Sequence, residues 1–219
     1  MRSKFDEQLA LLNRDLTKMG SLCEEALALV AKALANADGQ TAAKIAPIDS
    51  EIDQMERTIE SLCLKLLLQQ QPVARDLRQI SAALKMITDM ERIGDQASDI
   101  AEIIGFLNGR IGTDAQYICQ MAVAAMRMVT ESVEAYVKRD VAMAEATIQH
   151  DDVVDDLFLK VKESLIQMIS ANPKDGEYAL DLLMIAKYFE RIGDHATNIA
   201  EWVEFLSLIH ISDPTRHAQ

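Results

Sequence analysis

The chain has 219 residues, 49% of them hydrophobic, 26% charged and 5% aromatic, with only 8 Gly and 4 Pro. The apolar content excludes disordered and collagen-like classes, and the scarcity of turn residues excludes a β-sandwich or barrel, which leaves long helices. A net charge of -13 repels nucleic acid and anionic membrane surfaces unless basic groups cluster; they do not, and the parts before and after Asn108/Gly109 carry -5 and -8.

From residue 4 to 37, Phe5, Leu9, Leu12, Leu16, Met19, Cys23, Leu27, Val30 and Leu34 recur at three- and four-residue spacing, which predicts one helix stopped by Asp38-Gly39. A second helix is predicted from Thr41 to Gln71, with Pro47 as a kink or restart and Pro72 as its end. A third runs from there to Leu107, before the Gly-containing stretch from Asn108 to Gly112, the only good candidate for a domain linker. The layout then recurs, with helices from Asp114 to Lys138, from Asp140 to Ala171, and from the turn Asn172–Gly176 to Leu206. Residues 208–219 lack helical periodicity and contain Pro214, so they read as a disordered tail.

The two sets of three helices match in sequence as well as layout. Asp38, Asp49 and Asp53 align with Asp140, Asp151 and Asp155 at an offset of 102 residues, and residues 84–102 align with 183–201 at an offset of 99, sharing ERIGD and IAE words. An internal duplication follows, and with it an all-α fold of two tandem, pseudo-symmetric three-helix bundles built on six long helices, with units at 1–108 and 109–207. No run of 18 apolar residues occurs and the N-terminal sequence has no apolar signal region, so the expectation is a cytoplasmic protein without membrane insertion. Cys23, Cys63 and Cys119 are distant from one another and form no CxxC pair, and read as buried thiols.

The chemistry lies in the third and sixth helices. Glu91, Asp95, Asp99 and Glu102 fall on one stripe about 80° wide, opposite Met90, Ile93, Ala97, Ile100 and Ile104; Glu190, Asp194, Asn198 and Glu201 repeat the stripe. Most acidic stripes are solvated faces. Solvated faces alternate signs, however, because like charges one turn apart repel by about 0.2–0.5 kcal/mol per pair, and no Lys or Arg interrupts this stripe. Stacked carboxylates supply both the oxygen ligands and the charge that a hard cation needs.

Hairpin arithmetic strengthens the argument. Asp53 with Asp95, and Asp49 with Asp99, are equidistant from residue 74 in the first turn; Asp155 with Asp194, and Asp151 with Asn198, are equidistant from the boundary of Lys174 and Asp175 in the second. Each hairpin thus offers carboxylates from two helices at the same levels. The second site is expected to be weaker, because Phe158 and Lys162 stand where Glu56 and Glu60 extend the first stripe, and Asn198 replaces an acid. Gly94 and Gly193 read as close helix packing, His150 and His195 as polar surface, and Met residues 86, 90, 121, 126, 128, 168 and 184 as core filler.

The Arg75–Arg78 word RDLR, Met19-Gly20, the Asp49/Asp53 and Asp151/Asp155 pairs, and the twin words ERIGDQASDIAE at 91–102 and ERIGDHATNIAE at 190–201 resemble the PhoU family over residues 4–206. The resemblance implies a non-enzymatic, metal-binding negative regulator of phosphate uptake and of the phosphate-starvation response. It would link the ATPase subunit of the phosphate ABC transporter to a sensor histidine kinase. Carried over by position, the ligands are Glu91, Asp95 and Asp99 in one repeat and Glu190 and Asp194 in the other, with Asn198 a departure; Asp49, Asp53, Asp151 and Asp155 are added by the hairpin arithmetic. The metal is one of Fe, Zn, Mn or Mg, singly or as a cluster, and a homo-oligomer, a dimer first, is expected.

Two other readings compete. A di-metal carboxylate enzyme would use Glu-x-x-His, but Glu91 and Glu190 are followed at that spacing by Gly94 and Gly193. A structural scaffold would carry its acids for solubility alone. As for phosphate, the only cations near the motifs are Arg75, Arg78, Arg92 and Arg191, of which Arg92 and Arg191 are expected to pair with neighbouring acids, so a phosphate response is expected to come through partners.

Overall fold

The computed structural model describes residues 2–69, 72–107, 109–111 and 115–207. The expected tail at 208–219 lies outside the described residues. Six long helices dominate: α1 (Arg2–Asn36), α3 (Ile45–Gln69), α4 (Ala74–Phe106), α5 (Gln116–Lys138), α6 (Val141–Ala171) and α7 (Gly176–Ser207), with a one-turn α2 (Gly39–Ala42) between the first two. The second expected helix is therefore two pieces. Pro47 falls in the first turn of α3, where its missing N–H had no helical partner to lose, so it marks a start and not a kink.

Helix ends repeat with the sequence. Ala37 and Arg139, at the C-terminal ends of α1 and α5, both adopt left-handed backbone, with φ of 52° and 54°. The next residue is an Asp cap in each case: Asp38 accepts from the Gln40 N–H and Asp140 from the Met143 N–H. The turn between α6 and α7 is held by Asn172, whose side chain donates to Asp175, and by a short 3-10 turn over Pro173–Asp175. Arg110, just after the first repeat, pairs with Asp175 and lies 4.2 Å from the centre of the Tyr178 ring, tying the inter-repeat segment to that turn.

Helices α1, α3 and α4 pack on one another, as do α5, α6 and α7, giving two three-helix bundles; α1 against α5 and α4 against α7 join them. Their apolar faces make one continuous core that includes Leu12, Leu16, Ile52, Ile59, Met86 and Ile93 from the first bundle and Ile118, Leu182, Ile185 and Phe189 from the second. Gly20 is essential to the α1/α5 contact, because a Cβ there would stand 2.7 Å from Cγ1 of Val133. The cores absorb most of the expected methionines, although Met184 is 45% exposed, and Cys23 and Cys63 are buried while Cys119 is only half-buried.

Across α4 and α7 two polar contacts are related by the internal pseudo-symmetry. The Asn198 amide donates to Oδ1 of Asp89 at 3.0 Å, with Nδ1 of His195 at 2.9 Å from the same oxygen. Tyr188 lies beside Asp99, and burial together with that carboxylate raises its phenol above the ordinary value. Because Asp89 aligns with Tyr188 and Asp99 with Asn198, these are the same two positions used twice.

Candidate metal centre

Met90, Ile93, Ala97, Ile100 and Ile104 bury one face of α4, so the acidic stripe is left turned toward the α3/α4 seam and the bundle surface. There Asp49, Asp53 and Asp95 each present an oxygen within 4.8 Å of the other two. Oxygens that ligate a common hard cation at about 2.0–2.6 Å lie at most about 4–5 Å apart, so this set matches the span of one ion. Oδ1 of Asp49 is buried without a hydrogen-bond partner, and Oε2 of Glu91, equally buried, meets only a long contact with Nε of Arg92 at 3.4 Å among the described residues. Unsatisfied anionic oxygens cost free energy, which a cation in the cluster would recover.

Gly94 makes the approach possible. A Cβ at this position would stand 2.9 Å from Cδ1 of Ile52 and 3.1 Å from Oδ1 of Asp49. Gly193 repeats the device, 3.1 Å from Oδ1 of Asp151. The glycines thus serve close helix packing, as expected, and the atom they admit in both repeats is a carboxylate oxygen.

The electrostatics follow from crowding. Burial, then the charges of Asp95 and Asp53, push the Asp49 carboxyl above its ordinary value, with nearby Ser98 opposing. Burial raises Asp95 too, opposed by Arg92 and reinforced by Asp53 and Asp99. Glu91 is raised by burial and by Asp95, and Glu56 by burial and by Glu60. The local cations are Arg92, 3.4 Å from Glu91 and 3.5 Å from Asp95, and Arg57, 3.5 Å from Asp53, long contacts worth little to stability.

The second repeat gathers Asp151, Asp155, Glu190 and Asp194 in the same way but more loosely. Asp151 rises to about 6, through burial first and then Asp155 and Asp194. Asp194 is raised by burial and Glu190, with Lys187 opposing. Among the described residues no three acidic oxygens here come as close as in the first cluster. Lys187 pairs with Glu190 and sits 5.5 Å from the centre of the Phe158 ring, with Lys162 at 5.7 Å on the same ring. Lys162 thus stands where the first repeat has Glu60, and Phe158, where it has Glu56, is flanked by two lysines.

Asn198 and Asp99 are drawn instead to the α4/α7 contact, Asn198 to Asp89 and Asp99 to Tyr188. His195 faces Asp89 and His150 faces Glu131 at 2.9 Å, so both histidines bridge elements of the fold. Arg92 meets its expected acids, whereas Arg191 forms no ion pair among the described residues. Ser98, Asp89 and Tyr188 escape a reading of the sequence, because their partners lie on helices whose register emerges only on folding.

Comparison with known proteins agrees with this duplicated plan. The family model described as PhoU domain matches twice, at residues 16–104 and 118–203, once on each bundle. A phosphate-specific transport system accessory protein PhoU homolog from Clostridium acetobutylicum is 36% identical over 207 residues, 94% of this chain and 94% of that protein. Its Pseudomonas aeruginosa namesake is 33% identical over 93% of this chain and 85% of that protein. The crystal structure of PhoU from Pseudomonas aeruginosa superposes with a TM-score of 0.90 at 32% identity, covering 93% of this chain and 99% of that one. That of the phosphate transport system regulatory protein PhoU from Streptococcus pneumoniae shares the fold, with a TM-score of 0.84 at 24% identity over 95% of this chain and 99% of that one. With both bundles matched and full-length relatives above 30% identity, the chain belongs to the PhoU family.

Proposed function

We propose that this protein is a cytoplasmic, non-enzymatic negative regulator of phosphate uptake and of the phosphate-starvation response, whose carboxylate clusters bind metal. The family carries the link to phosphate transport, since the full-length relatives are named for an accessory role in that system. The observation that carries the metal reading is the Asp49, Asp53 and Asp95 cluster, with Oδ1 of Asp49 buried and without a hydrogen-bond partner. A cation there would cross-link α3 to α4 and fix the acidic surface that a partner meets. Glu91 and Asp99 would complete the first site; Asp151, Asp155, Glu190 and Asp194 would form a weaker second one, with Asn198 at its margin. The ion is one of Fe, Zn, Mn or Mg, a hard or borderline cation suited to oxygen ligands. The partners on this reading are the ATPase subunit of the phosphate ABC transporter and a sensor histidine kinase, approached as a homodimer. The chain itself would supply no reaction, having Gly at both positions where a di-metal enzyme would carry His.

The test is elemental analysis of protein purified without chelator, beside the double variants Glu91→Ala/Asp95→Ala and Glu190→Ala/Asp194→Ala. Stoichiometric metal, lost largely in the first variant and to a smaller extent in the second, is the expected outcome. Metal-free wild type after anaerobic reconstitution would reduce the clusters to solvated acids. Copurification of the ATPase subunit with the wild type, reduced in the first double variant, is the expected sign of the adaptor role.

A further inference from the structure

The seam between the two bundles encloses a cavity of about 240 Å³, far from the metal cluster, formed where α1, the start of α4, the end of α5 and the end of α7 meet. Its polar wall is made of Asn13, Arg75, Gln79, Tyr136 and Arg139, and Val137, Val203 and Leu206 provide an apolar side. In a chain with 35 acidic residues, no Asp or Glu lines it among the described residues. Among the described residues neither Arg75 nor Arg139 is in an ion pair, so two guanidiniums face one cavity without a counter-charge from those residues.

The wall is organised around Asn13. Its Oδ1 accepts from Nε2 of Gln79 at 3.0 Å and from the Tyr136 hydroxyl at 2.6 Å, and its backbone carbonyl accepts from Thr17. Both hydrogens of Tyr136 and Gln79 that reach Asn13 are thereby used, while the Asn13 amide keeps its N–H groups to give. The three helices α1, α4 and α5 are pinned together at this point, so the site is held rigid before any ligand arrives. What the wall can offer is donors and positive charge, beside an apolar patch.

We propose that this cavity binds a small organic phosphate, a phosphomonoester whose dianionic head lies between Arg75 and Arg139 and whose short carbon body rests on Val137, Val203 and Leu206. Two guanidiniums match the charge of a phosphomonoester better than that of a single carboxylate, and their forked donors suit its oxygens. The volume, roughly eight waters' worth of liquid, admits a ligand of small size. The sequence shows no such site because Arg75 and Arg139 lie 64 residues apart in different repeats. The assignment is independent of the metal reading.

The experiment is calorimetric titration of the full, metal-free chain at low ionic strength with phenyl phosphate and with inorganic phosphate as probes. One saturable site per chain for phenyl phosphate is expected, weakened about tenfold or more by Arg75→Ala and by Arg139→Ala separately. Inorganic phosphate should bind about tenfold more weakly, having no carbon body for the apolar wall. Both variants should keep the wild-type melting temperature, since Arg75 is exposed and Ala37 already adopts the left-handed backbone that Arg139→Ala requires. Absence of saturable phenyl phosphate binding, binding unchanged in both variants, or equal affinity for inorganic phosphate would each overturn the assignment. Asp95→Ala, which lies outside the cavity, should leave the titration unchanged.

Discussion

Single carboxyl groups show how the acidic clusters store their tension. Asp151, raised to about 6, is protonated in the folded protein at pH values where the unfolded chain would release its proton. The folded state therefore binds more protons between about pH 4 and 6, and the sign of linkage makes its contribution to stability fullest at the acid end and lost as pH rises through 6. The metal-free protein should show a falling melting temperature from pH 5 to 7, and Asp151→Asn should flatten that slope. Metal binding near pH 6 should release a proton from this group, measurable as a buffer-dependent calorimetric heat that Asp151→Asn abolishes. The acidic residue types and their spacing are written in the sequence, but the crowding that moves their titration depends on Gly94 and Gly193, whose missing side chains let Asp49 and Asp151 come close.

Glycine also decides how elements approach. At Gly20 a methyl group would meet both methyls of buried, β-branched Val133, at 2.7 and 2.9 Å, and Val133 has little rotamer freedom with which to give way. Overpacking should outweigh the gain of about 1 kcal/mol in helix propensity, so Gly20→Ala is expected to lose up to about 2 kcal/mol in urea unfolding. Gly193→Ala meets only the Asp151 oxygen closely and should be neutral or gain up to about 1 kcal/mol in the metal-free protein, while weakening metal retention in the second repeat. Helix periodicity and the hairpin turns were legible in the sequence because apolar stripes and Pro72, Asn172 and Pro173 mark them directly. The restart of the second helix was legible at Pro47, but the separate turn α2 before it was not, since Ala43 and Lys44 carry no helix-breaking signal and Asp38 caps a single turn. Met184 also departs from the pattern: α7 has apolar residues on more than one face, and composition alone does not say which face the neighbours cover.

At the scale of the molecule, the duplication told of two bundles but not of how they join. Nothing in the repeat words indicates that α1 would meet α5 and α4 would meet α7, because each helix's second buried face depends on which helix of the other repeat arrives. The Asp89 contact tests that junction. Asp89→Ala would leave the amide of Asn198 and the ring of His195 without their acceptor, at a cost of about 1–3 kcal/mol to global stability. Urea unfolding should show that loss, whereas the same substitution at exposed Asp152 should change little.

The paired contacts across α4 and α7 have a meaning for how one chain tells its own halves apart. If two copies of the first repeat met through the same geometry, Asp89 would face Asp99 twice over, carboxylate against carboxylate. In the second repeat Asn198 turns one clash into a hydrogen bond, and Tyr188 sets a neutral phenol beside Asp99 in place of the other. Divergence at two positions thus disfavours the pairing of two first repeats through this face and leaves the contact between unlike repeats free of that repulsion.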